Sequence, residues 1–195
     1  MFALDPLEHG GDALRLPGGQ VLTVRFAMPS DAAALQAYFR GLSARSRYNR
    51  LMGAALELPQ HQLDKFVHAG EDGSYSLLVT LADYGGEAIV AEARYAFEPQ
   101  TGHVEFGLSV DDRWHRRGIG TALIGNLQGR AAAFGALRLF GDTLRSNEAM
   151  IALARKTGCA AGRTPGDWKQ VRFEKLIVPA PLQGCCAGFR ADAMR

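Results

Sequence analysis

Two arginines run directly into Gly-Ile-Gly in the stretch 113-RWHRRGIGTAL-123, and an apolar helical pattern follows at once. A helix N-terminus presents unpaired backbone N–H groups and a partial positive charge, and glycines let an anion approach that backbone. Arginines beside such a turn add charge-assisted hydrogen bonds. The stretch therefore predicts a phosphate-binding turn between a strand and a helix, which restricts the fold more than any other feature.

A Gly-x-Gly pair can also be a tight turn without a ligand, so the surrounding sequence has to decide. The dinucleotide-binding fingerprint requires a third small residue where Leu123 stands. It also opens a βαβ unit, whereas a predicted strand meander precedes this turn. The nucleotide P-loop requires Gly-Lys-Ser/Thr, which the sequence lacks. Both common nucleotide motifs are therefore excluded.

Hydrophobic periodicity predicts strands and helices mixed in a single domain. The strands are expected at residues 20–27, 74–82, 87–97, 103–110, 137–143 and 170–178. The helices are expected from a cap at Ser30, within 43–56 and 58–70, at 118–134, and from a cap at Ser146 to 156. The predicted class is α/β (α+β), with a mostly antiparallel central sheet. Residues 1–18 are predicted to be an N-terminal extension, 19–178 the domain, and 179–195 a C-terminal tail.

The composition excludes several classes of protein. A chain of 195 residues that is 47% hydrophobic and 22% charged fits one globular domain. A net charge of +2 is too small to indicate nucleic-acid binding, and no apolar stretch is long enough to cross a membrane. We therefore predict no nucleic-acid partner and no membrane partner, and either a monomer or a homodimer.

The cysteines and histidines bear on location and metal binding. The three cysteines, Cys159, Cys185 and Cys186, are odd in number and give no disulfide framework. This favours a reducing cytoplasm as the protein's location. The five histidines have no metal-ligand spacing, so we expect no metal ion.

Three segments resemble one family of enzymes. The stretch EFGLSVDDRWHRRGIGTALIGNL resembles motif A of the GNAT superfamily of N-acetyltransferases, and LRSNEAMIALARKTGC resembles the family's downstream motif. The opening VLTVRFAMPSDAAALQAYFRGLSARSRYNR is similar to the GNAT domains of bacterial protein-lysine acetyltransferases. The likeness covers about residues 20–178. It implies a GNAT-like sheet in which one splayed pair of strands holds acetyl-CoA.

The resemblance also implies roles for individual residues. Acetyl-CoA is the expected cosubstrate, and an amine, either a protein lysine or a small molecule, is the expected acceptor. The glycine loop matches the family's pyrophosphate site, the strand before it matches the edge that pairs with the pantetheine arm, and Asn147 matches an asparagine that contacts the arm. The implied cofactor-binding residues are Leu108, Ser109, Val110, His115, Arg116, Arg117, Gly118, Ile119, Gly120, Thr121 and Asn147.

The chemistry requires a base, because a lysine of pKa about 10.4 costs roughly 4.6 kcal/mol to deprotonate at pH 7. Glu105 matches the glutamate used as general base in the resembling lysine acetyltransferases, and Glu92 is the reserve candidate. A carboxylate of ordinary pKa is a weak base at pH 7, so partial burial or a chain of water is required.

The sequence departs from the family pattern at three positions. His115 stands at the usual Gln/Arg position, Ala154 stands where many members carry a tyrosine as general acid, and Cys159 replaces a common phenylalanine. The general acid is therefore unassigned. A non-catalytic acyl-CoA sensor remains an alternative to an enzyme. Residues 43–50 either shape the acceptor pocket or form a basic helix face.

Overall fold

The computed structural model describes residues 4–6, 11–68, 70, 73–83, 86–164 and 166–178, with the backbone alone for 4–6 and 83. The strands are β1 (Leu4–Pro6), β2 (Asp12–Arg15), β3 (Val21–Phe26), β4 (Ser74–Asp83), β5 (Gly86–Glu98), β6 (His103–Val110), β7 (Arg138–Leu144), β8 (Ala160–Arg163) and β9 (Gln170–Leu176). The helices are α1 (Ala32–Gly41), α2 (Ala44–Leu51), α3 (Gln60–Val67), α4 (Ile119–Ala133) and α5 (Glu148–Lys156). Short 3-10 helices occupy Pro29–Asp31 and Asp112–Trp114.

The strands form one sheet in the order β1-β2-β3-β4-β5-β6-β7-β9-β8. Neighbouring strands are antiparallel at every position except between β6 and β7, which run parallel. A parallel pair needs a long crossover, and α4 provides it between β6 and β7. The predicted mixed, mostly antiparallel sheet with flanking helices is confirmed.

Helices cover the two faces of the sheet with separate apolar clusters. On one face, α4 contributes Ile119, Leu123 and Leu127 to a cluster that includes most of the buried strand residues. On the other face, α1 and α3 contribute Leu35, Phe39, Leu63 and Phe66 to a second cluster. We call these the α4 face and the α1 face. This division matters because it puts the glycine loop and the candidate base on opposite sides of the sheet.

The described part of the predicted N-terminal extension is integrated into the sheet. β2 pairs with β3 and β1 pairs with β2, and the side chains of Leu14 and Leu16 are buried in the core. The prediction missed these strands because they are three and four residues long, which is too short for a clear alternation. Whether the domain begins at residue 19 stays a prediction. The predicted tail, residues 179–195, lies outside the described residues.

Local details differ at helix starts and at one strand. The expected cap at Ser146 is replaced by its neighbour Asn147, whose side chain accepts the Met150 N–H at 3.3 Å. The expected cap at Ser30 is absent: Ser30 lies in the 3-10 helix Pro29–Asp31, and α1 begins after Asp31 without a side-chain cap. Strand β8 was not predicted, because its four residues are all exposed and show no apolar alternation. The order of the remaining elements agrees with the sequence.

Two glycines of α4 offer a test of stability. The sequence suggests that Gly125 and Gly129 allow close packing on the sheet, but both are exposed and have open space where a Cβ would stand. Because glycine costs helix stability through backbone entropy, Gly125→Ala and Gly129→Ala should each raise the free energy of unfolding by about 0.5–1 kcal/mol. Urea denaturation measures this change.

Gly135 is the matched control. It also has open space around it, but its φ is +73°, a conformation that disfavours any other residue. Gly135→Ala should therefore lower stability by about 1 kcal/mol. Destabilisation by the two helical substitutions as well would show that the glycines of α4 have a packing role.

Candidate active site

An opening in the sheet lies between the parallel strands. β6 and β7 pair only at His103↔Arg138, Val104↔Leu139 and Glu105↔Phe140, although β6 continues to Val110 and β7 to Leu144. At the point of divergence, a Cβ on Gly141 would lie 2.7 Å from the Phe106 carbonyl and 2.7 Å from the Phe173 ring. Position 141 needs a glycine because, one residue beyond the last β6–β7 pair, the Phe106 carbonyl and the Phe173 ring leave no space for a Cβ.

The edge of β6 exposes backbone hydrogen-bonding groups to this opening. The Asp111 N–H donates to Val90 on β5 at 2.9 Å, so by alternation the Ser109 backbone also faces β5. The backbone groups of Leu108 and Val110 therefore face the opening. An extended chain with amide groups can pair with them as an added strand does.

Ser109 and His115 are placed differently from the other predicted cofactor residues. The Ser109 side chain turns away from the opening and lies 8% exposed on the α1 face. An Nε2 atom of His115 lies 2.8 Å from the Val110 carbonyl, at the outer end of β6. A ligand that pairs with this carbonyl has to share it with the imidazole or displace the imidazole.

The glycine loop has the geometry of an anion site. Gly118 precedes α4 with φ +91°, a left-handed conformation that glycine adopts without strain. The first turn of α4 consists of Ile119, Gly120 and Thr121, whose N–H groups have no acceptor within the helix. These groups and the positive end of the helix dipole point out of the α4 N-terminus, as a pyrophosphate site requires.

Two arginines flank this loop. Arg116 adopts φ +60°, and among the residues that the structure describes its side chain has no hydrogen-bond or ion-pair partner. The Arg117 guanidinium lies over the Trp114 ring at 4.6 Å and donates to the Arg113 carbonyl at 3.2 Å. Arg116 is thus a cation free for an anion, whereas Arg117 is partly held by its neighbours.

Asn147 stands where β7 ends, on the other side of the opening. Its Oδ1 caps α5, and its Nδ2 donates to Thr143 Oγ1 at 3.0 Å, which leaves one amide N–H for a ligand. Ala154 and Cys159, the two departures in this region, are buried in the core with exposures of 1% and 5%. Burial also raises the pKa of the Cys159 thiol, which makes it a poor nucleophile.

The two candidate bases have different surroundings. Glu105 is exposed and is the last residue of β6 that pairs with β7. Alternation puts its side chain on the α1 face, together with the Ser109 side chain and the position that a Cβ of residue 107 would occupy. Glu92 is fully buried, and its carboxylate forms a two-point ion pair with Arg50 at 2.7 and 3.0 Å. Glu105 is open to an approaching acceptor, whereas Glu92 is already paired.

A buried polar network lies behind the opening on the α1 face. Ser109 donates to Glu92 at 2.6 Å, and the Tyr38 hydroxyl lies 3.0 Å from Ser109 Oγ. Burial raises the pKa of Tyr38 well above its usual range, and the nearby Glu92 charge raises it further. The network joins α1 and α2 to β6. With Arg50, which pairs with Glu92, the network has four members, and each lies on a different element. The sequence did not reveal the network because these elements are far apart in the chain.

A second contact holds α2 in place. Asp112, the second residue after β6, accepts hydrogen bonds from the Ser43 N–H at 2.9 Å and from the Ser46 hydroxyl at 2.7 Å. Burial opposes these contacts, but they hold the pKa of Asp112 below its usual value. Asp112 therefore attaches the N-terminus of α2 to the turn that follows β6, beside the opening.

A family model now adds to this geometry. The model of the acetyltransferase (GNAT) family matches residues 41–159, which is more than half of the chain. The chain belongs to the GNAT family of acetyltransferases. GNAT enzymes use acetyl-CoA as cosubstrate, so acyl-CoA-dependent N-acetyltransferase activity is supported in general. No curated protein sequence matches the chain significantly.

Solved GNAT structures share the fold. The GNAT domain of S. lividans PAT aligns with a TM-score of 0.76 at 23% identity, over 88% of this chain and 99% of that domain. The ribosomal-protein-S18-alanine N-acetyltransferase from Escherichia coli aligns with a TM-score of 0.61 at 18% identity, over 83% and 97%. A cAMP-binding acyltransferase from Mycobacterium smegmatis aligns at 21% identity with a TM-score of 0.57, over 87% of this chain and 48% of that one. At these identities the likeness establishes the fold alone.

Within the described ranges, no helix has the length and apolar character needed to span a membrane. In the same residues, no group of three or more His, Cys, Asp or Glu side chains is arranged to hold a metal ion.

Proposed function

We propose that the protein is an acetyl-CoA-dependent N-acetyltransferase that acetylates a lysine side chain of a protein, with Glu105 as the general base. One observation carries this proposal: the β6–β7 opening ends at Glu105, and the α4 N-terminus stands at the outer end of the same β6. A pyrophosphate on the loop and a thioester at the divergence point would be joined by a pantetheine arm along β6.

The backbone groups of Leu108 and Val110 would pair with the amides of the arm, and Asn147 would contact the arm from the β7 side. Gly118, Ile119, Gly120 and Thr121 would hold the pyrophosphate through backbone N–H groups. The Arg116 side chain would add a charge-assisted hydrogen bond, with smaller contributions from Arg117 and from the backbone of His115. Ser109 would act indirectly, by fixing β6 through its contacts with Glu92 and Tyr38.

The acceptor would approach from the α1 face, where the Glu105 carboxylate is accessible. Its nitrogen forms a bond to the thioester carbonyl carbon, the carbon–sulfur bond breaks, and the thiolate of CoA leaves. Glu105 takes the proton of the amine. Because Glu105 is exposed rather than partly buried, a bridging water is the expected route for this proton.

A lysine acceptor is supported by the likeness of residues 21–50 to the GNAT domains of protein-lysine acetyltransferases. Small amines remain the alternative acceptors, because acceptor pockets depend on loops that differ among members of one fold. We also propose that the protein works in the cytoplasm, without a metal ion, as a monomer or homodimer.

Steady-state kinetics with acetyl-CoA and lysine-containing peptides tests direct transfer. We expect intersecting double-reciprocal lines, because a ternary complex forms before transfer, and we expect no acetylated enzyme by mass spectrometry. Parallel lines together with an acetyl group on Cys159 would contradict the direct mechanism. Tight CoA binding without acetylation of any amine would instead favour an acyl-CoA sensor.

A further inference from the structure

The guanidinium of Arg50 is only partly used by the fold. Its Nε and Nη2 atoms donate to the two oxygens of Glu92 at 2.7 and 3.0 Å. Its Nη1 atom has no hydrogen-bond partner among the described residues, and 16% of the side-chain surface is exposed to solvent. Arg50 is partly buried, and its Cζ atom also lies 5.5 Å from the centroid of the Phe66 ring. The two N–H donors of Nη1 are therefore available to a ligand.

The free end of Arg50 lies beside the opening. A Cβ on Gly107 would stand 3.1 Å from Nη1 and 3.4 Å from Cζ, so the guanidinium rests against the glycine backbone. Gly107 belongs to the part of β6 that does not pair with β7, two residues beyond Glu105 and on the same face. At about 3.3 Å per residue, the two positions are about 6.6 Å apart.

The charge of this donor is compensated. Because Glu92 neutralises Arg50, Nη1 offers a strong hydrogen bond without repelling a cationic amine. The backbone groups of Leu108 and Val110 point into the plane of the sheet, whereas Nη1 lies above that plane on the α1 face. Its position therefore suits a group that arrives with the acceptor better than one that belongs to the arm.

We propose that Arg50 Nη1 binds a carbonyl oxygen of the acceptor, so that the preferred acceptor carries such an oxygen a few bonds from its reactive amine. The main-chain carbonyl of a lysine residue meets this requirement, because the lysine side chain spans a distance comparable to that between Glu105 and Gly107. Arg50 is then a specificity-determining residue. This inference rests on the proposed function, since it assumes that an amine is bound at Glu105.

Binding to the complex of the protein with CoA, which cannot react, tests the inference separately from turnover. The probes are Nα-acetyl-lysine methylamide and pentylamine, which share the alkylamine but differ in the carbonyl groups. NMR titration should show that the wild type binds the lysine derivative more tightly. Arg50→Lys should weaken that binding about tenfold and leave pentylamine binding unchanged, because lysine keeps the charge beside Glu92 but loses Nη1.

Two further variants distinguish a loss of the Nη1 contact from a loss of folding. Gly107→Ala keeps Arg50 and Glu92 but pushes Nη1 aside, so it should weaken binding of the lysine derivative selectively as well. Arg155→Lys, on an exposed position of α5, should change neither probe. Thermal unfolding and CoA titration establish that each variant is folded.

Equal binding of the two amines by the wild type would overturn the inference. An equal loss for both amines in Arg50→Lys and Gly107→Ala would do the same, because it indicates a structural role alone. The proposed function fails by a different result, the absence of acetyl transfer to any amine, while the selective binding persists.

Discussion

Replacing Glu105 by glutamine is expected to lower kcat about 100-fold or more, with the affinity for acetyl-CoA unchanged. Removal of a positioned general base typically costs a factor of 10² to 10⁴ in rate, since the lysine ammonium is then not deprotonated in the complex. Glutamine has the same shape, and position 105 is exposed, so folding should not change. Steady-state assays with a lysine peptide and calorimetric titration with acetyl-CoA give the two numbers.

Glu174→Gln is the matched control for this experiment. Glu174 is a partly exposed carboxylate that pairs with Arg138 at 2.9 Å on the neighbouring part of the sheet. A surface ion pair contributes little to stability, so this variant should keep nearly wild-type kinetics. If Glu105→Gln were as active as Glu174→Gln, Glu105 would lose its role as base.

Replacing Gly120 by aspartate is expected to weaken acetyl-CoA binding about 100-fold. A carboxylate on the first turn of α4 competes for the N–H groups there and repels the pyrophosphate. Two like charges about 5 Å apart at an effective dielectric constant of about 20 repel by roughly 3 kcal/mol, which corresponds to about 100-fold. Isothermal titration of acetyl-CoA into both proteins measures the loss.

The control is Gly120→Ala, because any side chain at this position meets α5. A Cβ there would lie 2.8 Å from Leu153 Cδ2, the flexible end of a side chain that can rotate away. The alanine variant carries this steric effect without the charge, so it should lose much less affinity than the aspartate variant. Equal losses would attribute the effect to packing, and no binding by the wild type would leave the glycine pair as a turn alone.

The sequence predicted the fold well where elements are long and periodic. Strands β4, β5 and β6 and helix α4 were expected within about one residue of their observed bounds, because each has a clear apolar pattern. The short strands β1, β2 and β8 were missed, since three or four residues do not establish a period. The glycine loop was recognisable because its function depends on consecutive residues.

Residues brought together from distant parts of the chain were harder to predict. Nothing near Glu92 in the sequence indicates its pairing with Arg50, 42 residues away, and this pairing separates the reserve base from Glu105. The glycines that permit close approach are Gly107 and Gly141, whereas the sequence drew attention to Gly125 and Gly129. The reason for a glycine is visible only when the group packed against it is known, and for Gly107 and Gly141 that group comes from a distant part of the chain.

The sequence by itself determined the family, the anion-binding turn before α4 and the order of the longer strands and helices, because these depend on residues close together in the chain. The tertiary structure alone decided which backbone groups of β6 face the opening, which glutamate is accessible and where the free end of Arg50 lies. Those features depend on strand register, on the alternation of side chains between two faces and on the divergence of β6 from β7 after Glu105. Register and divergence arise from packing among distant segments, which local sequence patterns do not encode.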